Sequence, residues 1–199
     1  MNRAGICRLS LPERKTLINE SNNQFRAVYL LHGLGGSPDC SVRLLEDALV
    51  ESGGDRNYVR PLMLHTDDDV PLRVSVWFLA KIKPPQGALV VGISLGGMVA
   101  AALQEAARPD LHVICVCSPT WAGDIALRHR MDNRVSLFSS LDPVIAGRTG
   151  AWPQLAESYD LPWLAGHDTD PHAHALARII SGYLAGRTVA SVLEGMDVR

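Results

Sequence analysis

A chain of 199 residues with 47% hydrophobic and 20% charged side chains can bury a core of its own without staples, and this balance excludes an intrinsically disordered protein. The formal net charge is -2 and the nearest approach to a basic cluster is Arg128-His129-Arg130, too short to bind a nucleic acid backbone. Residues 1–23 hold no continuous apolar segment, so the sequence predicts no secretory leader, no membrane span and a cytoplasmic location.

Residues 1–24 have no clear period and read as a lead-in to a single domain spanning 1–199. Ala27-Val28-Tyr29-Leu30-Leu31 is the first apolar run suited to a strand buried on both faces, and it ends in His32-Gly33-Leu34-Gly35-Gly36-Ser37. Three glycines in four positions suggest a loop whose backbone approaches something closely. Residues 41–52 carry Val42, Leu45, Leu49 and Val50 at helical spacing and stop at Gly53-Gly54. Residues 58–64 form the next strand, placed at an edge by Pro61. The polar loop from His65 through Asp67-Asp68-Asp69 then caps a helix running to Ile82, with Val74, Trp77 and Phe78 inward.

Beyond Pro84-Pro85, Ala88-Leu89-Val90-Val91 leads into Gly92-Ile93-Ser94-Leu95-Gly96 and then an alanine-rich helix to residue 107. Strands follow at 111–117, 134–139 and 159–165, and a helix at 171–185. Strands and helices alternate without repeats or a linker, the pattern of one mostly parallel α/β sheet of about six strands with helices on both faces. A flavodoxin-like sheet is the alternative fold. Cys7, Cys40, Cys115 and Cys117 follow no framework spacing and are expected as reduced thiols. Cys115 and Cys117, two apart in a strand, would share a face and be poorly placed to pair.

Gly-x-Ser-x-Gly between an apolar strand and a helix is the context in which a serine is held at a sharp, strained turn with its hydroxyl exposed. The amide of Leu95 then stands at a helix N-terminus, where unpaired N–H groups and the helix dipole favour negative charge. A serine hydroxyl is a poor nucleophile at neutral pH; it needs an imidazole, and the imidazole needs a carboxylate. In parallel sheets such groups gather where strands end. The residues that follow strand ends in the required kinds are Ser94, Asp142 and His167.

Other candidates have duller readings. Asp124 is the rival acid, but it follows a different strand end and is read as the cap of a helix starting near Ile125. His172 and His174 suit surface helix positions. Together with Asp168 and Asp170 they offer metal-binding atoms, yet their spacing matches no ligand pattern, so neither a metal nor a cofactor is called for. His32 either supports the glycine loop by hydrogen bonding or is a plain buried histidine. His65 and Trp121, each after a strand, are candidates for the pocket wall, and Trp121 equally for the core.

Together, His32-Gly33-Leu34-Gly35-Gly36, Gly92-Ile93-Ser94-Leu95-Gly96, Ser139-Ser140-Leu141-Asp142-Pro143-Val144 and Gly166-His167 resemble the α/β-hydrolase superfamily, in particular its small capless bacterial lipases and esterases. The resemblance implies an α/β-hydrolase fold with no cap domain. It makes Ser94 the nucleophile, His167 the base and Asp142 its orienter, with the amides of Leu34 and Leu95 as the oxyanion hole. The implied reaction is hydrolysis of a small-molecule carboxylic ester of short to medium acyl length. Thioesters and lactones suit the same groups, and a binding or scaffold protein that keeps the fold needs none of them. The sequence leaves the oligomeric state open.

Overall fold

Short apolar runs buried on both faces decide the architecture. The computed structural model describes residues 27–53, 56–64 and 70–196. In chain order the elements are β1 (Ala27–Leu31), α1 (Ser41–Glu51), β2 (Asn57–Val59), α2 (Leu72–Ile82), β3 (Leu89–Ile93), α3 (Leu95–Ala106) and β4 (His112–Val116). A small hairpin of β5 (Trp121–Ala122) and β6 (Ile125–Ala126) follows, then β7 (Arg134–Phe138), α4 (Trp152–Leu155), β8 (Glu157–Asp160), α5 (Ala173–Leu184) and α6 (Val189–Glu194). Six strands form one sheet in the order β2-β1-β3-β4-β7-β8, and every neighbouring pair is parallel. The register pairs Leu31 with Gly92, Ile93 with Val116 and Val116 with Leu137, so the central strands end nearly level. The loops that follow them therefore emerge along one edge of the sheet.

Alternation along the strands divides the core in two. Val28 and Leu30 pack with Leu45 and Leu49 of α1 and with Leu176 and Ile179 of α5. Tyr29 and Leu31 point the other way, toward Leu79 of α2, Met98 of α3 and Trp152 of α4. Each fully buried aliphatic side chain contributes about 1.5–3 kcal/mol, so both helical layers are held by apolar burial.

The structure corrects several details. Val50, expected on the buried stripe of α1, is exposed, and Ala48 takes its place. In α2 the buried positions are Leu72, Ser75 and Leu79, while Val74 and Phe78 are half-buried and Trp77 is exposed with the Lys81 ammonium 5.4 Å from its ring. The helix begins at Leu72 with Pro71 as its cap, two residues later than the sequence suggests, and its inward face runs through Leu72, Ser75 and Leu79. β2 is three residues long, and Pro61, which has no N–H to give a ladder, follows its end closely. The last strand runs from Glu157 to Asp160 rather than over 159–165, because Pro162 opens a 3-10 turn, Pro162–Leu164.

No helix begins near Ile125. Gly123 and Asp124 form the two-residue loop of the β5–β6 hairpin, with Gly123 at φ +53°, the left-handed conformation that such loops require. Asp124 accordingly caps nothing; its carboxylate lies 3.1 Å from the Arg73 guanidinium. Cys115 and Cys117 are both buried but do not share a face. Cys117 lies just past the end of β4 with φ +47°, and it packs in the α1/α5 layer while Cys115 packs in the α3 layer. Among the described residues, the segment from β4 to β8 holds the hairpin and α4 but no inserted cap. Also among these residues, no helix is long and apolar enough to cross a membrane. The lead-in 1–24, Cys7, His65 and Asp67-Asp68-Asp69 lie outside the described residues.

Candidate active site

Ser94 forms the turn between β3 and α3 with φ +53° and ψ -124°, a backbone conformation that L residues avoid. Close approach holds it there. A Cβ on Gly92 would stand 2.2 Å from the Gly97 nitrogen, and one on Gly96 would stand 2.5 Å from the His32 carbonyl oxygen. Gly97 is equally restricted, with Ser118 Oγ 2.2 Å from where its Cβ would be. The Ser94 N–H donates to Val116 O at 2.8 Å, which ties the turn to β4.

Asp142 follows β7 and is 1% exposed. A carboxylate so buried requires partners, and it has two. Oδ1 accepts the Val144 N–H at 2.9 Å, and Oδ2 lies 2.5 Å from His167 Nδ1. A carboxylate only accepts, so this contact puts the imidazole proton on Nδ1 and leaves Nε2 to accept. Nε2 lies 3.1 Å from Ser94 Oγ. Residues separated by 73 and 25 positions thus form one chain of hydrogen bonds.

Cys117 lies close to this chain, with Sγ, a carboxylate oxygen of Asp142 and a ring nitrogen of His167 all within 4.8 Å of one another. Burial pushes its thiol up to about 12, with a smaller contribution from the Asp142 charge, so it stays protonated. The three atoms are spaced for hydrogen bonding rather than for a cation. Two atoms bound to one tetrahedral Zn2+ at about 2.1 Å each stand roughly 3.4 Å apart, whereas the Asp142–His167 contact is 2.5 Å.

The glycine loop after β1 packs against the serine: a Cβ on Gly33 would be 3.0 Å from Ser94 Cβ. His32 fixes this loop. Its Nε2 accepts the Met63 N–H at 3.0 Å, so Nδ1 carries the proton and donates to Gly33 O at 2.9 Å. Leu34 and Leu95 line the same cavity as Ser94, and its volume is about 760 Å³. Val144, Ile145 and Arg148 from the loop after β7 also line it, as do Arg73 and Asp124.

No family model matches the sequence, and no curated protein matches it. Solved structures do. A provisional hydrolase of the alpha/beta superfamily from Xanthomonas campestris pv. campestris superposes with a TM-score of 0.54 at 21% identity, over 85% of this chain and 99% of that one. Alpha/beta hydrolase domain-containing protein 10 from mouse gives 0.62 at 10% identity, over 80% and 90%. A carboxylesterase from Mesorhizobium loti gives 0.58 at 15%, over 80% and 90%. The chain has the α/β-hydrolase fold. Within the α/β-hydrolase fold, Ser94, Asp142 and His167 stand where the loops of its central and outer strands converge.

The remaining candidates are dispersed. Trp121 is 52% exposed, outside the core, and its ring lies 5.7 Å from the Arg148 guanidinium carbon. The His172 ring lies 5.1 Å from that of Trp163, and His174 is 3.9 Å from Glu51, so these histidines do not converge with Asp168 and Asp170. Sequence reasoning missed Gly97, Ile145 and the two arginines of the cavity. Arg148 lies in the loop six residues after Asp142, and a search of whole loops beyond strand ends, rather than their first residues, finds it.

Proposed function

We propose that the protein is a serine hydrolase that cleaves carboxylic esters through an acyl-enzyme. The observation that carries this reading is the hydrogen-bonded series from Asp142 through His167 to Ser94, at 2.5 and 3.1 Å, on the wall of a cavity. His167 Nε2 takes the proton of Ser94 as Oγ bonds to the ester carbonyl carbon. The carbonyl π pair moves onto oxygen, where the amides of Leu34 and Leu95 receive it; each such donor is worth about 3 kcal/mol in the transition state. The carbon–alkoxide bond then breaks, and the alkoxide leaves with the proton from His167. Water, deprotonated by the same nitrogen, attacks the acyl carbon; the bond from that carbon to Ser94 Oγ breaks, Oγ takes the proton back from His167, and the acid leaves.

Asp142 holds the ring in the tautomer that leaves Nε2 basic and stabilises the imidazolium that forms. The Mesorhizobium loti carboxylesterase and the Xanthomonas protein described as a hydrolase are in keeping with this reading. A cavity of about 760 Å³ lined partly by charged groups, with no inserted cap among the described residues, favours short and medium acyl chains. Each methylene left in water forgoes about 0.8 kcal/mol of binding.

An active-site-directed fluorophosphonate tests the reading. Labelling of native protein at Ser94, lost in Ser94→Ala, supports it. An unlabelled protein beside a labelled control esterase overturns it in favour of a binding or scaffold role.

A further inference from the structure

We propose that Arg148 is a subsite for a substrate carboxylate remote from the scissile carbonyl, so that the protein prefers anionic acyl or alcohol groups; this rests on the reading of Ser94 as the nucleophile. The arginine lines the same cavity as Ser94 and His167. Its placement is fixed at several points. The guanidinium lies 5.7 Å from the Trp121 ring, and one Nη donates to Val144 O. Its backbone N–H donates to Ile145 O at 3.0 Å, and its carbonyl accepts both the N–H and the hydroxyl of Thr120, at 2.6 and 2.8 Å. The backbone bonds fix the root of the side chain, and the Trp121 ring and Val144 O hold its guanidinium, so it loses less freedom on binding than an untethered arginine.

Among the described residues, the charges around the cavity leave this cation without a counter-ion. Arg73 and Asp124 pair with each other at 3.1 Å. Asp168 is exposed beside His167, with Oδ1 accepting the Asp170 N–H at 3.0 Å. Asp142 is engaged by His167. Among the described residues no carboxylate lies within 4.0 Å of Arg148. The planar fork of an arginine matches a carboxylate with two parallel hydrogen bonds, and a half-buried site strengthens them relative to water. Val144 and Ile145 beside it supply apolar surface for the methylenes that lead to the anion.

The test compares the rates at which two fluorophosphonates of equal length label Ser94, one neutral and one ending in a carboxylate. In the native protein the carboxylate probe is expected to react at least tenfold faster. Arg148→Gln is expected to remove most of that preference, Arg148→Lys to keep part of it, and 0.5 M salt to weaken it. A preference absent in the native protein, or unchanged in Arg148→Gln, overturns the subsite while leaving the hydrolase reading intact. Parallel slowing of both probes in the variants assigns Arg148 a purely structural role and also overturns the subsite. Failure of both probes to label native Ser94 overturns the nucleophile and the subsite together.

Discussion

Substituting Gly92 by alanine tests how the turn is held. The added Cβ would stand 2.2 Å from the Gly97 nitrogen and 2.4 Å from the Gly96 carbonyl carbon. Non-bonded heavy atoms settle at about 3.5 Å or more, so β3 and α3 must separate by roughly 1 Å. Nothing on either side gives easily. Gly96 already faces the carbonyls of Leu31 and His32, and Gly97 faces Ser118 Oγ and Gly92 O. Forced separation in a packed core costs about 1–3 kcal/mol. At Ser94, the proposed nucleophile, a displacement near 1 Å also lowers the reaction rate by about 100-fold. Gly92→Ala is therefore expected to lose several degrees in Tm and to label with a fluorophosphonate about 100-fold more slowly. Gly150→Ala is the control, since nothing lies within 4 Å of its added Cβ. A Gly92→Ala protein with native Tm and native labelling rate would refute the argument that close approach positions Ser94.

Ser94→Ala and His167→Ala should each lower kcat on the order of 10⁶-fold, and Asp142→Ala about 10⁴-fold because it acts through the imidazole; ester turnover assays check the order. Full activity in His167→Ala with loss in His172→Ala would identify a different base. Burial pushes the Cys115 and Cys117 thiols up to about 12, so both should resist a thiol reagent in native protein and react on unfolding, while the half-buried Cys40 reacts before either of them. Burial lowers the pKa of His112, whose Nδ1 lies 2.8 Å from the Tyr183 hydroxyl. The unfolded chain therefore binds this proton more readily, and stability falls as pH drops below the unfolded value of 6.5 toward the folded one. Thermal melts from pH 7.5 to 5 should show this decline, and a His112→Gln variant should flatten it.

Legibility followed the strength of local constraint. β1, β3, β4 and β7 were readable because a strand buried on both faces must be a short apolar run, and the glycines around Ser94 because no other residue fits there. The same logic applied less well at the sheet margins. β8 is half-exposed Glu157-Ser158-Tyr159-Asp160 and lacks the apolar run of a buried strand, so the sequence pattern places the strand too far along, over the apolar Leu161-Pro162-Trp163-Leu164. The β5–β6 hairpin was hidden for another reason: two-residue strands have no periodicity, and Gly123-Asp124 was the sole cue. At the candidate site, Ser94, Asp142 and His167 each follow a strand end in the sequence and the structure brings their side chains together, whereas Arg148 takes its place in the cavity wall partly from contacts with Trp121 and Thr120 that no local pattern encodes.

Backbone strain gathers at the same place. Four non-glycine residues have positive φ among those described, and three of them are Ser94 at 53°, Cys117 at 47° and His167 at 61°. The fourth, Lys83, ends α2 in the left-handed conformation common at helix ends. Each unfavourable turn costs on the order of 1–3 kcal/mol and persists only where surrounding contacts overdetermine it. Those contacts are present: the N–H of Ser94 donates to Val116 O at 2.8 Å, that of Cys117 to Leu137 O at 2.8 Å, and that of His167 to Leu164 O at 3.3 Å. Two of the three acceptors belong to the buried central strands β4 and β7, so the sheet supplies the rigidity that the turns require. A strained Cys117 beside Asp142 and His167 has no place in proton transfer, since its thiol stays protonated. Its turn instead carries the chain from β4 to Ser118, whose Oγ abuts Gly97 and donates to Val116 O. The Ser94 turn is thereby braced from the neighbouring strand, and the strain at Cys117 becomes part of what holds Ser94 within reach of His167.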